Sequence, residues 1–192
     1  MNTIDIVTRA TPNPNALKFM LAQDVKKEGK VTFKKEKPEE YQSIPLARIL
    51  LELEHVIEVH FFENVITVTQ DGLEDWEEIE DNIRSLIQQE MGQHNPDFVT
   101  KEAKKNSKDL SPELQKIEEI LDRAIRPYLQ GDGGDLEVIK FENNVLTVNY
   151  EGACGTCPSS IAGTLEGIKG LLRDELGQEI EIVAANAPTI DY

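Results

Sequence analysis

Hydrophobic and polar positions along the chain predict helices and strands that follow the same order twice. In the first half, apolar residues over 46–53 recur at helical spacing, which predicts a helix. Two alternating stretches follow at 57–62 and 65–70, and they lie so close together that we expect a hairpin. An amphipathic helix is then predicted over 76–91, where its apolar positions end.

The residues before these elements are less regular. Leu17, Phe19 and Leu21 alternate with other residues and predict a half-buried strand after a turn marked by two prolines. Residues 24–42 are rich in lysine and glutamate, so we expect a loop there with a short strand at 31–33. The first half is therefore predicted to combine helices with a sheet.

The second half repeats the order helix, hairpin, loop, helix. Ser111 and Pro112 are typical of a helix start. The GDGGD segment at 131–135 follows the first helix, and its glycines favour a turn. The predicted elements are a helix over 112–129, strands over 136–141, 145–150 and 180–183, and a helix over 158–176.

Between the halves, residues 93–110 lose the pattern and are polar and rich in lysine. This composition is typical of a linker between domains. We therefore predict two small α+β domains, over 1–92 and 111–192, joined by a flexible linker over 93–110.

Composition narrows the classes of function. The net charge is −16, from 20 basic and 36 acidic residues, and an acidic surface repels nucleic acid and anionic membranes. No apolar run approaches the roughly 20 residues of a membrane span. The N-terminus lacks the basic region and apolar stretch of a secretory signal, and it lacks the Arg- and Ser-rich amphipathic character of a transit peptide. We therefore expect a cytoplasmic protein that binds neither nucleic acid nor membrane.

The chain has two cysteines, Cys154 and Cys157, in the sequence GACGTCPSS. A C-x-x-C loop lets two sulfur atoms face one ion or cluster, and the small residues around them leave room for a ligand. Pro158 suits the first position of a helix, so we expect Cys157 at the N-cap, where free N–H groups favour a thiolate. We also expect this loop to lie near the surface.

Three kinds of site are compatible with this pair. A closed zinc site needs four protein ligands, and the three histidines, His55, His60 and His94, lie in the other half. A thioredoxin-like redox centre is expected on a βαβ frame, whereas a hairpin precedes this loop. An iron–sulfur cluster needs four thiolates, which two copies of the chain supply. A shared cluster fits the ligand count best, and a thiol–disulfide oxidoreductase using the same pair is the alternative.

The helix after the cysteine loop has two distinct faces. One face is apolar and is predicted to enter the core, and three glycines share the opposite face. Because a glycine inside a helix costs about 1 kcal/mol relative to alanine, either another chain approaches this face closely or the helix simply tolerates the glycines. The core positions are Ile161, Leu165, Ile168 and Leu172, and the glycines are Gly163, Gly167 and Gly170.

Several stretches of sequence match a known family. In the second half they are LDRAIRPYLQGDGGD at 121–135, the strand LTVNYEG, and GACGTCPSSIAGTLEGIKGLL with Cys154 and Cys157. With them, residues 111–183 resemble the C-terminal domain of NifU, the module of Nfu-type iron–sulfur cluster carriers. TPNPNALKFM and the hairpin IEVHFFENVITVT give residues 1–90 a resemblance to the Nfu N-terminal domain.

The resemblance implies a [4Fe–4S] cluster that bridges two subunits of a homodimer through Cys154 and Cys157 of each. A [2Fe–2S] cluster also uses four cysteines, so the ligand count leaves the cluster type open. The family implies that an upstream assembly scaffold supplies the cluster and that apo iron–sulfur proteins receive it, without catalytic turnover. The first domain has no cysteine, and the resemblance suggests that it contacts clients or partners. A third interpretation is an adaptor for assembly factors.

Overall fold

The computed structural model of the chain describes residues 4–100, 111–155 and 158–185, with the side chains of 158–160 excepted. The chain divides into two compact units between residues 106 and 107. Both units contain helices and strands, which confirms the predicted α+β class. The part of the predicted linker from 101 to 110 lies outside the described residues.

The first unit is built on a five-stranded antiparallel sheet in the order β1-β2-β5-β4-β3. Its strands are β1 (Ile6–Ala10), β2 (Ala16–Leu21), β3 (Lys26–Lys34), β4 (Val56–Glu63) and β5 (Val65–Gln70), and its helices are α1 (Pro38–Tyr41), α2 (Pro45–Leu51) and α3 (Trp76–Glu90). The predicted hairpin is confirmed as β4 and β5, and the two predicted helices are confirmed as α2 and α3.

The stretch predicted as a loop with a short strand is more structured than expected. Strand β3 has nine residues rather than the three predicted, because it pairs along β4 and a register shift between Lys26 and Lys30 absorbs its irregular part. Pro38 then starts the four-residue helix α1. Pairing to a distant strand leaves little trace in local alternation, so the sequence did not reveal it.

Alternate residues of the central strands form the first core together with α2 and α3. Phe19, Phe61 and Ile66 are fully buried in the sheet, and they pack in the same cluster as Leu50 and Ile87 of the two helices. Across the described parts of both units, no helix is long and apolar enough to span a bilayer.

The first unit extends beyond its predicted end at residue 92. His94 places Nε2 2.7 Å from the carbonyl oxygen of Val25, and the Lys27 N–H donates to the carbonyl of Pro96 over 3.2 Å. Phe98 packs against the first core. Residues 94–98 therefore pack on the first unit, and the predicted start of the linker at 93 is too early.

The second unit is built on a three-stranded sheet in the order β6-β7-β8. Its elements are α4 (Pro112–Ala124), α5 (Arg126–Gly131), β6 (Gly134–Glu142), β7 (Val145–Gly152), α6 (Pro158–Leu176) and β8 (Glu181–Ala184). Asn143 and Asn144 turn between β6 and β7 with φ of 53° and 61°, the conformation that a two-residue hairpin turn requires. Strand β8 returns parallel to β7.

Two predictions for the second unit need correction. The single helix predicted over 112–129 is broken at Ile125, because Pro127 has no N–H to donate and its ring excludes a continuous helix. The GDGGD segment is a turn only in its first part, since Gly134 and Asp135 begin strand β6. This places Gly134 opposite Gly152, directly beside the cysteine loop.

Candidate functional site

Strand β7 and helix α6 hold the cysteine loop between them. Strand β7 ends at Gly152, and Cys154 follows in a turn whose Gly155 N–H donates to the Gly152 carbonyl over 3.0 Å. Cys157 lies outside the described residues, and the residue after it, Pro158, begins α6 as predicted. Cys154 is only 4% exposed and packs in the second core, so the expectation of a loop near the surface is wrong at this residue.

The backbone of the GDGGD segment packs directly against Cys154 and its neighbours in the loop. The Ala153 N–H donates to the Gly133 carbonyl over 3.1 Å, and Gly134 pairs with Gly152. A Cβ on Gly134 would lie 2.7 Å from Cys154 Sγ and 2.5 Å from the Glu151 carbonyl oxygen. These distances are too short for any side chain, so the neighbouring backbone and the sulfur atom of Cys154 together require glycine at 134.

A buried polar network around Asp135 holds the GDGGD segment in place. The carboxylate of Asp135, which is 1% exposed, accepts the Leu136 N–H over 2.7 Å and the Gln130 side-chain amide over 3.0 Å. Arg126 lies beside it, with Nε 3.7 Å from Asp135 Oδ1 and hydrogen-bonded to the Leu136 carbonyl over 3.4 Å. The network connects helix α5 to the start of β6, and the start of β6 contacts Cys154.

Arg126 is held in turn by two carboxylates of helix α4. Its guanidinium contacts Glu118 Oε2 at 2.6 Å and also pairs with Asp122. Burial lowers the pKa of Arg126, and the charges and hydrogen bonds of these carboxylates outweigh that effect, so the net shift is upward. The arginine thus stays charged and links α4 to the turn beneath the cysteine.

Replacing Arg126 with methionine should destabilise the second unit by about 3 kcal/mol, because breaking a largely buried ion pair leaves a buried carboxylate without its cation. The matched control is Arg123→Met, whose ion pair with Glu175 is 65% and 41% exposed and should contribute less than about 1 kcal/mol. Thermal unfolding followed by circular dichroism measures both. Equal stability of the two variants would contradict a supporting role for Arg126.

Tyr150 lies between the cysteine loop and the second core. It is 1% exposed and packs in the same cluster as Cys154. Burial raises the pKa of Tyr150 strongly, the electrostatic interaction with Cys154 raises it further, and a hydrogen bond with Thr164 acts in the opposite direction. The phenol therefore stays neutral next to the sulfur and adds no negative charge to the site.

The histidines are occupied elsewhere. His60 is buried in the first unit, with Nδ1 2.8 Å from the Thr32 hydroxyl, and His94 is partly buried there beside the Val25 carbonyl. His55 faces Asp71 and Glu74 at 3.3 and 3.7 Å. Among the described residues there is no group of three or more His, Cys, Asp or Glu side chains that could hold a metal ion.

Helix α6 presents its two predicted faces. Ile161, Ile168 and Leu172 are buried in the second core, and Leu165 packs against it, which confirms the apolar face. A Cβ built at Gly163, Gly167 or Gly170 meets no atom within 4 Å. Packing within the described chain therefore does not require glycine at these positions, and the two explanations of the glycine face stay open.

Both units match known family models. Residues 6–95 match the model described as scaffold protein Nfu/NifU N terminal, and residues 117–183 match the model of the NifU-like domain. A solved NifU-like protein from Saccharomyces cerevisiae is 24% identical, covers 53% of this chain and 88% of its own, and has a TM-score of 0.47.

Two similar curated proteins share the name NFU1 iron-sulfur cluster scaffold homolog, mitochondrial. The Homo sapiens protein is 35% identical over 172 residues, which cover 88% of this chain and 66% of the relative. The Drosophila persimilis protein is 32% identical over 173 residues, which cover 88% of this chain and 60% of the relative. The chain therefore spans about two thirds or less of the length of these relatives.

These names contradict the cytoplasmic location expected from the sequence, because both relatives are named mitochondrial proteins. The expectation rested on the lack of a membrane span and on an N-terminus with the character of neither a secretory signal nor a transit peptide, and the names of the relatives overturn it. The order of the domains, in contrast, agrees with the resemblance read from the sequence. With an Nfu N-terminal domain followed by a NifU-like domain that contains the C-x-x-C loop, this chain belongs to the Nfu family of iron–sulfur cluster scaffold proteins.

Proposed function

We propose that the chain binds a [4Fe–4S] cluster between two copies of itself, through Cys154 and Cys157 of each, and passes the cluster to apo-proteins. The cluster is cargo in this role. Membership of the Nfu family supports the general role of a cluster scaffold or carrier. The proposed stoichiometry rests on the ligand count, since one chain has two cysteines and a cluster takes four thiolates.

The observation that carries the proposal is the way the fold holds Cys154 in position. A side chain at Gly134 would collide with its sulfur atom, and a buried network around Asp135 fixes the backbone beneath it. This arrangement holds one thiol in a fixed position, which lowers the entropy lost when four thiolates converge on a cluster.

Each part of the site has a role in this function. The neutral Tyr150 beside Cys154 adds no charge that would repel an anionic thiolate. Because Cys154 is 4% exposed, binding a cluster shared with a second copy requires its sulfur atom to become exposed. Helix α6 begins at Pro158, so its N-terminal N–H groups point toward the loop and favour negative charge there. Release then proceeds when cysteines of the client replace those of the carrier, without oxidation or reduction of the thiols.

The first unit contributes no thiol, and we propose that it recruits the proteins that receive or supply the cluster. The tether between the units raises the local concentration of the cluster site near anything that the first unit holds. An upstream assembly scaffold and apo iron–sulfur proteins are the partners that this role requires.

Cluster-loaded chain should activate apo-aconitase in the presence of an iron chelator, because direct ligand exchange keeps iron out of free solution. The matched control is an equal amount of iron and sulfide with the Cys154→Ala variant, which should give less than about a tenth of the activity. An oxidoreductase would instead leave aconitase inactive and reduce the disulfides of insulin. If the chain without iron reduces insulin disulfides and aconitase stays inactive, the protein is a thiol–disulfide oxidoreductase and not a cluster carrier.

A further inference from the structure

Two loops of the first unit lie side by side at one end of its sheet, and hydrogen bonds connect the first loop to the residues that flank the second. The loop before β2 covers residues 11–15, and the loop between β5 and α3 covers residues 71–75. The Gln70 N–H donates to the Asn15 carbonyl over 2.9 Å, and the indole N–H of Trp76 donates to the Pro14 carbonyl over 2.9 Å. The two loops therefore form one joint surface.

The loop over 71–75 is held in one conformation by its own side chains. Buried Gln70 donates its amide to the Glu74 carbonyl over 2.7 Å and accepts the Gly72 N–H over 3.3 Å. Asp71 accepts the Leu73 N–H over 2.9 Å, and this hydrogen bond lowers the pKa of Asp71. A loop ordered in this way loses little entropy when a partner binds.

The loop over 11–15 is ordered in the same manner. The Thr11 hydroxyl donates to the carbonyls of Asn13 and Ala16 over 2.9 and 3.0 Å. The side chain of Asn13, a buried residue, accepts the Asn15 N–H over 3.0 Å. Both loops thus present their outer side chains from a fixed backbone.

Three of the exposed side chains on these loops are apolar. Leu73 is 79% exposed, the largest value for any large hydrophobic side chain in the described parts of the chain. Pro12 and Pro14 are exposed, and the Trp76 ring is partly exposed beside them. A single exposed leucine is unexceptional, but this one lies on the same pair of ordered loops as two exposed prolines. Next to it α3 begins with Trp76, and tryptophan is enriched in contact hot spots. We name this group, Pro12, Pro14, Leu73 and Trp76, the Leu73 surface.

Acidic residues border this surface on one side. The segment over 71–81, DGLEDWEEIED, contains seven acidic residues and no basic residue. Asp75, Glu77 and Glu78 are exposed next to Trp76. A partner that buries the apolar centre must therefore bring positive charge to this rim. A second copy of the chain, with a net charge of −16, is repelled by the same rim.

We propose that the Leu73 surface docks a polypeptide partner whose apolar side chains are flanked by lysine and arginine. The proposal rests on the recruitment role proposed for the first unit and assigns that role to a definite surface. It does not depend on the cysteines, because every residue involved lies in the first unit.

Trp76, the only tryptophan of the chain, reports directly on occupancy of this surface. The probe is a labelled amphipathic helical peptide of leucine and lysine, and the control peptide has serine at every leucine position and the same charge. The full apo chain should show a blue shift of Trp76 emission with the first peptide only, since burial removes water from the ring. Raising the salt from about 50 to 500 mM should weaken binding several-fold.

The variant Leu73→Ser should bind the leucine–lysine peptide about tenfold more weakly, as expected for the loss of one buried leucine. The matched control is Val99→Ser, which alters a side chain that is 71% exposed in the same unit but outside the surface. Its affinity should stay within about twofold. Circular dichroism confirms that both variants fold.

Unchanged affinity of Leu73→Ser, or peptide binding without any shift of Trp76 emission, would overturn the proposal. The apo chain is used throughout, so the outcome is independent of cluster loading. Failure of the chain to hold a cluster would remove the proposed function and leave this result untouched, whereas a silent Trp76 would remove only the docking surface.

Discussion

Iron bound per chain should fall at least tenfold when Cys154 is replaced by alanine. A cluster that loses one of its two thiolates from each chain retains only half of its ligands, and two sulfur donors do not hold it against dilution. Alanine is preferred to serine here, because Cys154 is 4% exposed within the second core. A hydroxyl buried there without a partner would cost about 1–3 kcal/mol by itself.

Two further measurements make this result interpretable. Circular dichroism of Cys154→Ala should match that of the unaltered chain, so that lost iron is not a sign of lost fold. Cys157→Ala should lose iron to the same extent, since the proposal gives both cysteines the same role. A Cys157→Ala chain that keeps a normal iron content would refute this ligand assignment.

Gly134→Ala should have the second large effect, although it changes neither cysteine. The added Cβ would lie 2.5 Å from the Glu151 carbonyl oxygen, 2.7 Å from Cys154 Sγ and 2.9 Å from the Cys154 nitrogen. Two of these atoms belong to the backbone, so the strand or the cysteine loop must shift. We expect a loss of about 3 kcal/mol in the stability of the second unit, and a several-fold loss of bound iron.

Gly131→Ala is the matched control for this prediction. Gly131 is the last residue of α5, three residues away, and a Cβ built there meets nothing within 4 Å. Its stability should be unchanged or higher by up to about 1 kcal/mol, because alanine favours a helix over glycine. Thermal unfolding by circular dichroism and iron analysis measure both variants. If Gly134→Ala behaves like Gly131→Ala, the close contact between Gly134 and Cys154 is not needed for stability or for iron binding.

Local sequence signals predicted much of the fold and one residue of the described site. The hairpin turn at Asn143–Asn144 was predictable because asparagine tolerates the positive φ that the turn requires. Pro158 marked the start of α6 for an equally local reason. Pro127 carried a readable signal for the break between α4 and α5, but the uninterrupted apolar spacing around it favoured a single helix.

The support beneath the cysteine could not be predicted, because it depends on contacts between distant residues. Gly134 lies 20 positions before Cys154 in the sequence, and only the pairing of β6 with β7 brings them together. In isolation its glycine is as typical of a turn as the glycines beside it. The packing of Phe98 on the first core is similar, since an aromatic residue in a polar stretch gives no indication of its partner.

Native mass spectrometry of the anaerobically reconstituted chain tests the central claim most directly. The proposal predicts a species with the mass of two 21.6 kDa chains that carries one cluster of four iron atoms, while the chain without iron is mainly monomeric. The same species should be missing from Cys154→Ala. A single chain that keeps a complete cluster, with no added thiol to supply the remaining ligands, would contradict the claim that two copies share it.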